Sequence, residues 1–133
     1  MVTDTNIIPT SLSVVNTNKN HLLVAYNNSS ISMVDIETCK IVQQMETPEA
    51  SGKPDKATQI NSIVNHACRP LAFTGHEDRY IRYFDLRSGN CSHSMVGHLE
   101  SVSSLAVEPR DEHLLSGGMK SYLLLVCTNI NRT

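Results

Sequence analysis

The chain has 133 residues, of which 40% are hydrophobic and 18% charged, and its formal net charge is −2. These values fit one modest globular domain and exclude a disordered chain. A near-neutral charge without a basic patch argues against nucleic acid as a partner. No apolar run reaches the roughly 20 residues of a membrane-spanning helix, so we expect neither nucleic-acid binding nor membrane insertion.

The N-terminal sequence MVTDTNIIPTSLSVV has neither a basic start nor a continuous apolar segment. A secretory signal peptide needs both, so we expect a cytoplasmic protein with reduced thiols. None of the four cysteines belongs to a Cys-x-x-Cys pair, and His66 and Cys68 alone are a poor fit to a zinc site. We therefore expect no metal and no cofactor.

Short runs rich in β-branched residues alternate with polar turns along the chain, and the 3.6-residue spacing of an amphipathic helix is scarce. The first group contains TSLSVV, the hairpin HLLVAYNNSSISMVDIET and KIVQQM. The second contains INSIVNH, PLAFTGHEDRYIRYFDL and CSHSMVGH, and VSSLAVEP with HLLSGGMKSYLLLVCTN begins a third. The pattern predicts two four-stranded units and a third that stops after its third strand.

The groups align without gaps. An offset of 50 residues pairs Asp35 with Asp85, and an offset of 42 pairs Thr74 with Ser116. Four-stranded propeller blades repeat every 40–45 residues or so, and a Pro- and Gly-containing insertion explains the longer first offset. The prediction is a partial domain over residues 1–133, divided as follows: blade 1 at about 10–46, a loop at 47–58, blade 2 at about 59–96 and a partial blade 3 at about 97–130.

The segment GHLESVSSLAVEP resembles the start of a WD repeat, and LAFTGHEDRYIRYFDL resembles the rest of one. Phe84 and Asp85 stand where that family usually has tryptophan and aspartate. The resemblance implies an all-β, incomplete WD-repeat β-propeller of about three blades of four-stranded antiparallel sheet, the last unfinished. It also implies a network that joins a histidine from the entering loop, an aspartate in the turn between the second and third strands, a strand hydroxyl and the tryptophan.

Carried onto this sequence, the resemblance assigns structural roles in turns and in the network to Asp78, Thr74, Phe84, Asp85, His98 and Ser116. No unit keeps the full set. In blade 2, Lys56 stands where the histidine would enter, and Phe84 cannot donate the hydrogen bond of an indole. In blade 3, Lys120 replaces the aspartate and Val126 the aromatic residue.

Three adjacent titratable residues, His76, Glu77 and Asp78, invite a catalytic interpretation. Neighbours in an extended chain point in opposite directions, and the sequence has neither a Gly-x-Ser-x-Gly elbow nor a phosphate-binding Gly-rich loop. We therefore expect no catalytic residues and no enzyme. His76, Glu77 and Arg79 are instead candidate contacts for a protein partner, with a simple solvated turn as the alternative.

Taken together, QINSIVNH, GHEDRYIRYFD and HSMVGHLESVSSLAVEP are similar to the carboxy-terminal propeller of the striatin family. The resemblance implies a protein-interaction scaffold of the kind that serves as a regulatory subunit of phosphatase 2A–kinase assemblies. Three blades cannot close a ring, so we also expect self-association through open blade faces. The alternative is a truncated, poorly folding fragment of a generic WD-repeat protein.

Overall fold

The computed structural model describes residues 7–18, 20–47, 59–66, 69–96, 101–107, 114–118 and 124–126. Within these ranges the regular elements are all strands, arranged in three antiparallel sheets. Blade 1 contains β1 (Pro9–Val14), β2 (His21–Tyr26), β3 (Ser30–Asp35) and β4 (Lys40–Glu46). Blade 2 contains β5 (Ile60–Asn65), β6 (Leu71–His76), β7 (Tyr80–Asp85) and β8 (Asn90–Val96). Blade 3 contains β9 (Val102–Val107), β10 (Leu114–Gly118) and β11 (Leu124–Val126).

The fold-class prediction is confirmed: the chain is an open, incomplete propeller of antiparallel blades. In blades 1 and 2 each strand pairs with its neighbour in chain order. The second, third and fourth strands of blade 1 begin 50 residues before their counterparts in blade 2. Apart from Thr47, the predicted loop 47–58 lies outside the described residues.

The same turn chemistry recurs in both complete blades. Asn28 and Asp78 each accept a hydrogen bond at their Oδ1 from the backbone N–H two residues ahead, at 3.1 Å. The last loop residues, Ser29 and Arg79, have φ values of 74° and 77°. Three-residue hairpin loops commonly end in such a left-handed residue. The residue before it, Asn28 or Asp78, is then placed where its side chain can cap the turn.

The blades pack face to face through two apolar clusters. The first lies between blades 1 and 2 and includes Leu23, Met45, Ile63 and Phe84. The second lies between blades 2 and 3, where the rings of Phe73 and Tyr83 meet edge to face at 4.7 Å. Blade 2 therefore gives one face to blade 1 and the other to blade 3.

Polar contacts between the innermost strands support this packing. Thr10 Oγ1 donates to the carbonyl of Ile60, and Asn61 Nδ2 donates to the carbonyl of Val102 at 2.8 Å. Thr10 and Asn61 occupy equivalent positions in β1 and β5. The same contact therefore joins blade 1 to blade 2 and blade 2 to blade 3.

Candidate interaction site and the polar network of blade 2

A charged pair stabilises the hairpin of β6 and β7. The Asp78 carboxylate accepts hydrogen bonds from Arg82 Nη1 at 3.1 Å and Nη2 at 2.7 Å. The Arg82 side chain is only 1% exposed, whereas that of Asp78 is 28% exposed. The ring of Tyr80 lies 4.9 Å from the guanidinium carbon of Arg82. Such bidentate pairs fix geometry as well as charge, so the loop at 77–79 rests on a rigid support.

Asp78 remains ionised in this setting. Burial alone would raise the pKa of its carboxyl, but the hydrogen bonds and the positive charge of Arg82 outweigh burial, and the pKa is lowered. The backbone N–H of Tyr80, which donates to the same carboxylate, acts in the same direction. A charged Asp78 is what the buried guanidinium of Arg82 requires, because an unpaired charge in the interior is costly.

A second, neutral pair lies beside the first. Thr74 Oγ1 and His76 Nε2 are 2.7 Å apart, and both residues are fully buried. Burial, assisted by the charge of Arg82 and opposed by that of Asp78, lowers the pKa of His76 to about 3. The imidazole is therefore neutral at physiological pH and shares a hydrogen bond with the threonine hydroxyl.

Blade 2 thus builds its polar network from one hairpin. The resemblance implies a histidine from the entering loop beside the aspartate, but Lys56 stands at that position in this sequence, so the network around Asp78 is expected to be incomplete. The partner of Asp78 is instead Arg82, and Thr74 pairs with a histidine of its own strand. Sequence reasoning missed Arg82, and the available signal was a charged residue inside the otherwise apolar run YIRYF.

The other residues assigned to turns and networks occupy separate places. Phe84 is fully buried between blades 1 and 2, and Ser116 is buried in β10. Asp85 ends β7, and its Oδ1 accepts from the N–H of Arg87 at 2.9 Å. His98, Lys56 and Lys120 lie outside the described residues. The side chain of Val126, which ends β11, is likewise outside what the structure describes.

The structure corrects the prediction that His76 contacts a partner. His76 is the last residue of β6 and is 0% exposed, because the tight turn begins only at Glu77. A fully buried ring offers no surface to another molecule. Glu77 and Arg79 are exposed, as predicted for a contact loop.

Glu77 and Arg79 belong to a surface that we call the blade 2 rim, which consists of Gln59, Asn61, Glu77 and Arg79. Asn61 Nδ2 donates to Glu77 Oε2 at 2.8 Å, and Gln59 Nε2 donates to Asn61 Oδ1 at 3.0 Å. Arg79 holds a left-handed backbone conformation without being glycine, as Ser29 does at the same place in the turn of blade 1. The rim therefore combines an anchored carboxylate with an exposed cation.

A groove of about 430 Å³ opens at the opposite end of the blades, between blades 1 and 2. Residues around it include His21, Val42, Gln43 and Arg87. When the Gln43 amide takes the orientation that satisfies both of its neighbours, it donates to the carbonyl of Leu86 at 3.0 Å and accepts from the N–H of Gly89 at 3.2 Å. The groove is thus bridged by an amide that ties the outer strand of blade 1 to the β7–β8 turn.

Among the residues that the structure describes, no three side chains of the metal-ligating types come together. Over the same ranges, no helix is long and apolar enough to cross a membrane.

Comparison with known proteins agrees with the architecture. The WD domain, G-beta repeat family matches residues 89–125. The chain is 37% identical to striatin-3 of Rattus norvegicus over 110 residues, which is 83% of this chain and 14% of that protein. Striatin of Mus musculus is 36% identical and striatin-4 of Homo sapiens 37% identical over the same share of each chain. The chain thus spans about one seventh of the length of these relatives.

Three stacked antiparallel sheets that carry the WD repeat define a WD-repeat interaction domain of a non-catalytic, scaffold type. The chain belongs, through this WD-repeat region, to the striatin family.

Proposed function

We propose that this chain is a non-enzymatic, cytoplasmic docking module whose blade 2 rim binds a protein partner. The observation that carries the proposal is the bidentate Asp78–Arg82 pair directly beneath the exposed loop of Glu77 and Arg79. A preorganised loop loses little conformational entropy when a partner binds. A loop whose backbone is held by a buried pair is therefore better suited to binding than a mobile surface loop.

The partner that we propose is a subunit of a phosphatase 2A-type assembly. This part of the proposal derives from the similarity to striatins, and the chemistry of the rim supports a protein surface as the ligand. Glu77 is already hydrogen-bonded to Asn61, whereas the guanidinium of Arg79 is exposed. Arginine binds carboxylates in two-point contacts, so the partner is expected to offer an acidic side chain to Arg79.

Within this proposal the buried polar residues act structurally. Asp78, Thr74, Phe84 and Asp85 hold the hairpin that presents the rim, and Ser116, which is buried in β10, has the corresponding role in blade 3. The role assigned to His98 stays a prediction from the sequence, because His98 lies outside the described residues. None of them is assigned to catalysis, and the proposal needs no metal or cofactor.

The test is a binding measurement with purified phosphatase 2A scaffold and catalytic subunits. Arg79→Glu reverses the exposed charge and is expected to weaken binding at least tenfold or so, because close opposite charges are strongly coupled at interfaces. Lys40→Glu makes the same change in charge at the start of β4, at the other end of blade 1. Circular dichroism checks that both variants fold.

Loss of binding in Arg79→Glu alone supports the rim as the docking site. Equal loss in both variants would mean that only net charge matters. Unchanged binding in Arg79→Glu would remove the rim from the interface.

A further inference from the structure

The two junctions between blades differ in the side chains that fill them. At the junction of blades 2 and 3, Tyr83 of β7 is buried, and its ring lies 5.8 Å from that of His93, its partner in β8. Met33 and Gln43 pair in the same way across β3 and β4, 50 residues earlier. Blade 1 therefore has two flexible side chains where blade 2 has two rings.

A third ring of blade 2 is also missing from blade 1. The N–H of Val15 donates to the carbonyl of His21 at 3.0 Å, and the N–H of His66 donates to that of Leu71 at 2.9 Å, so Val15 and His66 are equivalent. The His66 ring lies 6.4 Å from the ring of Phe73. Because blade 1 lacks all three rings, the groove of about 430 Å³ remains open between blades 1 and 2.

The floor of this groove is apolar. It includes Val15, Met33 and Leu86, which are at most 6% exposed, while Val42 beside them is 54% exposed. Ligand pockets commonly enclose about 300–1,000 Å³ and combine an apolar lining with a few polar groups. The unbranched thioether of Met33 adapts readily to the shape of a ligand. The floor is therefore suited to an apolar side chain.

The edges of the groove carry hydrogen-bond donors. On the blade 2 side, the guanidinium of Arg87 is exposed and has no hydrogen bond or ion pair among the described residues. On the blade 1 side, Asn18 Oδ1 accepts from the N–H of Asn20 at 3.1 Å. This contact orients the amide nitrogen of Asn18, which lies 3.5 Å from His21 Nε2. A ligand in the groove would thus meet donors from both blades.

The described lining of the groove contains no acidic residue. Asp35 and Asp85 end β3 and β7 at this end of the blades, but each accepts from a turn N–H, that of Glu37 at 3.0 Å and that of Arg87 at 2.9 Å. The whole chain has 13 acidic and 11 basic residues. A groove with a cation and without a carboxylate is thus opposite in sign to the chain, and its complement is an acidic ligand.

We propose that the groove between blades 1 and 2 is a second docking site, which binds an acidic peptide segment of a partner protein. An apolar side chain of the segment packs on Val15, Met33 and Leu86, and a neighbouring carboxylate forms a two-point contact with Arg87. A peptide supplies both groups at once, whereas a nucleic-acid backbone offers nothing to the apolar floor. The groove and the blade 2 rim lie at opposite ends of the blades, so the two sites are separate.

The first experiment titrates the 133-residue chain into a fluorescein-labelled peptide of alternating leucine and glutamate and follows the fluorescence anisotropy. The matched ligand has glutamine in place of glutamate and is expected to bind at least about tenfold more weakly, because it lacks the charge. Arg87→Glu should weaken binding of the acidic peptide by a similar factor. Lys40→Glu is the control, because Lys40 is an exposed cation of β4 that does not line the groove. Circular dichroism checks that both variants fold.

A second experiment needs no variant. With isotopically labelled methionine methyl groups, the acidic peptide should shift the NMR signal of Met33, which lines the groove. Met45 is the internal control, because it is buried in the same apolar cluster but is not part of the lining. Met33→Tyr then places a ring where blade 2 has Tyr83 and should abolish binding by filling the floor.

A loss of affinity in Arg87→Glu and not in Lys40→Glu, together with a shift of the Met33 methyl, supports the proposal. Absence of binding by the unaltered chain overturns it. Equal losses in the two charge variants also overturn it, since net charge alone would then explain the affinity. Equal affinity for the glutamine peptide, or for a short single-stranded oligonucleotide, would likewise exclude an acidic peptide as the specific ligand.

Discussion

The Asp78 carboxylate and the buried Arg82 guanidinium form a two-point ion pair within one hairpin, with N–O distances of 3.1 and 2.7 Å. Blade 1 has Asn28 and Ser32 at the equivalent positions. The same turn geometry is therefore maintained by a charged pair in one blade and by neutral side chains in the other. Because neutral residues hold this turn in blade 1, substitutions at residues 78 and 82 can measure what the charged pair contributes in blade 2.

Asp78→Asn should cost about 3 kcal/mol of unfolding free energy, because it leaves the charge of Arg82 buried without its counter-ion. Urea unfolding followed by circular dichroism measures the loss. The double variant Asp78→Asn/Arg82→Ser transplants the blade 1 pair and should recover most of it. A loss below about 1 kcal/mol, the range of a surface pair, would show that Arg82 is not effectively buried in solution.

His76 should make the protein sensitive to mild acid. Its folded pKa of about 3 lies below the ordinary histidine value of 6.5, so the unfolded chain binds a proton more readily than the folded one. The stabilising contribution is complete above pH 6.5 and is lost as the pH falls towards 3, by up to about 1.4 kcal/mol per pH unit. Asp78 has a lowered pKa, so its own contribution is lost only below its unfolded value of 3.8.

The variant His76→Gln keeps a hydrogen-bonding group near Thr74 but cannot titrate, so its unfolding free energy should be nearly flat between pH 6.5 and 4. His93→Gln is the control, because His93 is exposed in β8. Chemical unfolding at a series of pH values gives the comparison. Parallel profiles for the wild type and His76→Gln would contradict a buried neutral imidazole.

Gly75→Ala should destabilise the junction of blades 2 and 3. A Cβ at this position would lie 2.6 Å from Cγ1 of Val102, a buried residue of β9. Overpacking of this kind costs about 1–3 kcal/mol, and Val102→Ala in the same chain should relieve part of it. Gly117→Ala is the matched control in blade 3, because its nearest neighbour is the exposed Ser104 hydroxyl at 2.9 Å. Thermal unfolding of the two variants gives the comparison. Equal losses of stability would show that Gly75 does not approach Val102 closely.

Arg79→Gly should stabilise the chain and weaken partner binding together. The φ of 77° is strained for arginine and relaxed for glycine, so a gain of about 1 kcal/mol is expected. Loss of the guanidinium removes the proposed contact with the partner. Unfolding and binding are measured on the same preparation, and Arg87→Gly, at the β7–β8 turn, is the control. A variant that is more stable and still binds normally would show that partner binding needs neither the backbone strain at residue 79 nor the guanidinium of Arg79.

The sequence predicted the strands and their offsets because local patterns determine both: alternation marks each strand, and the polar turns separate them. Asp78 could be placed in its turn for the same reason. The burial of His76 could not be foreseen, because it depends on whether the strand ends before or after that residue. The charged residue inside the apolar run YIRYF marked Arg82 as unusual, but no local pattern shows which acidic side chain a buried arginine will meet, so its pairing with Asp78 was missed. The tight approach at Gly75 depends on a strand of the next blade.

The amide nitrogen of Asn61 donates to two acceptors, the carboxylate of Glu77 at the rim and the carbonyl of Val102 in the next blade. A molecule that displaces Glu77 should therefore also disturb the contact between the second and third blades. Ligand binding at the rim and packing between these two sheets are thus coupled through the Asn61 side chain. A change that weakens one of them should weaken the other.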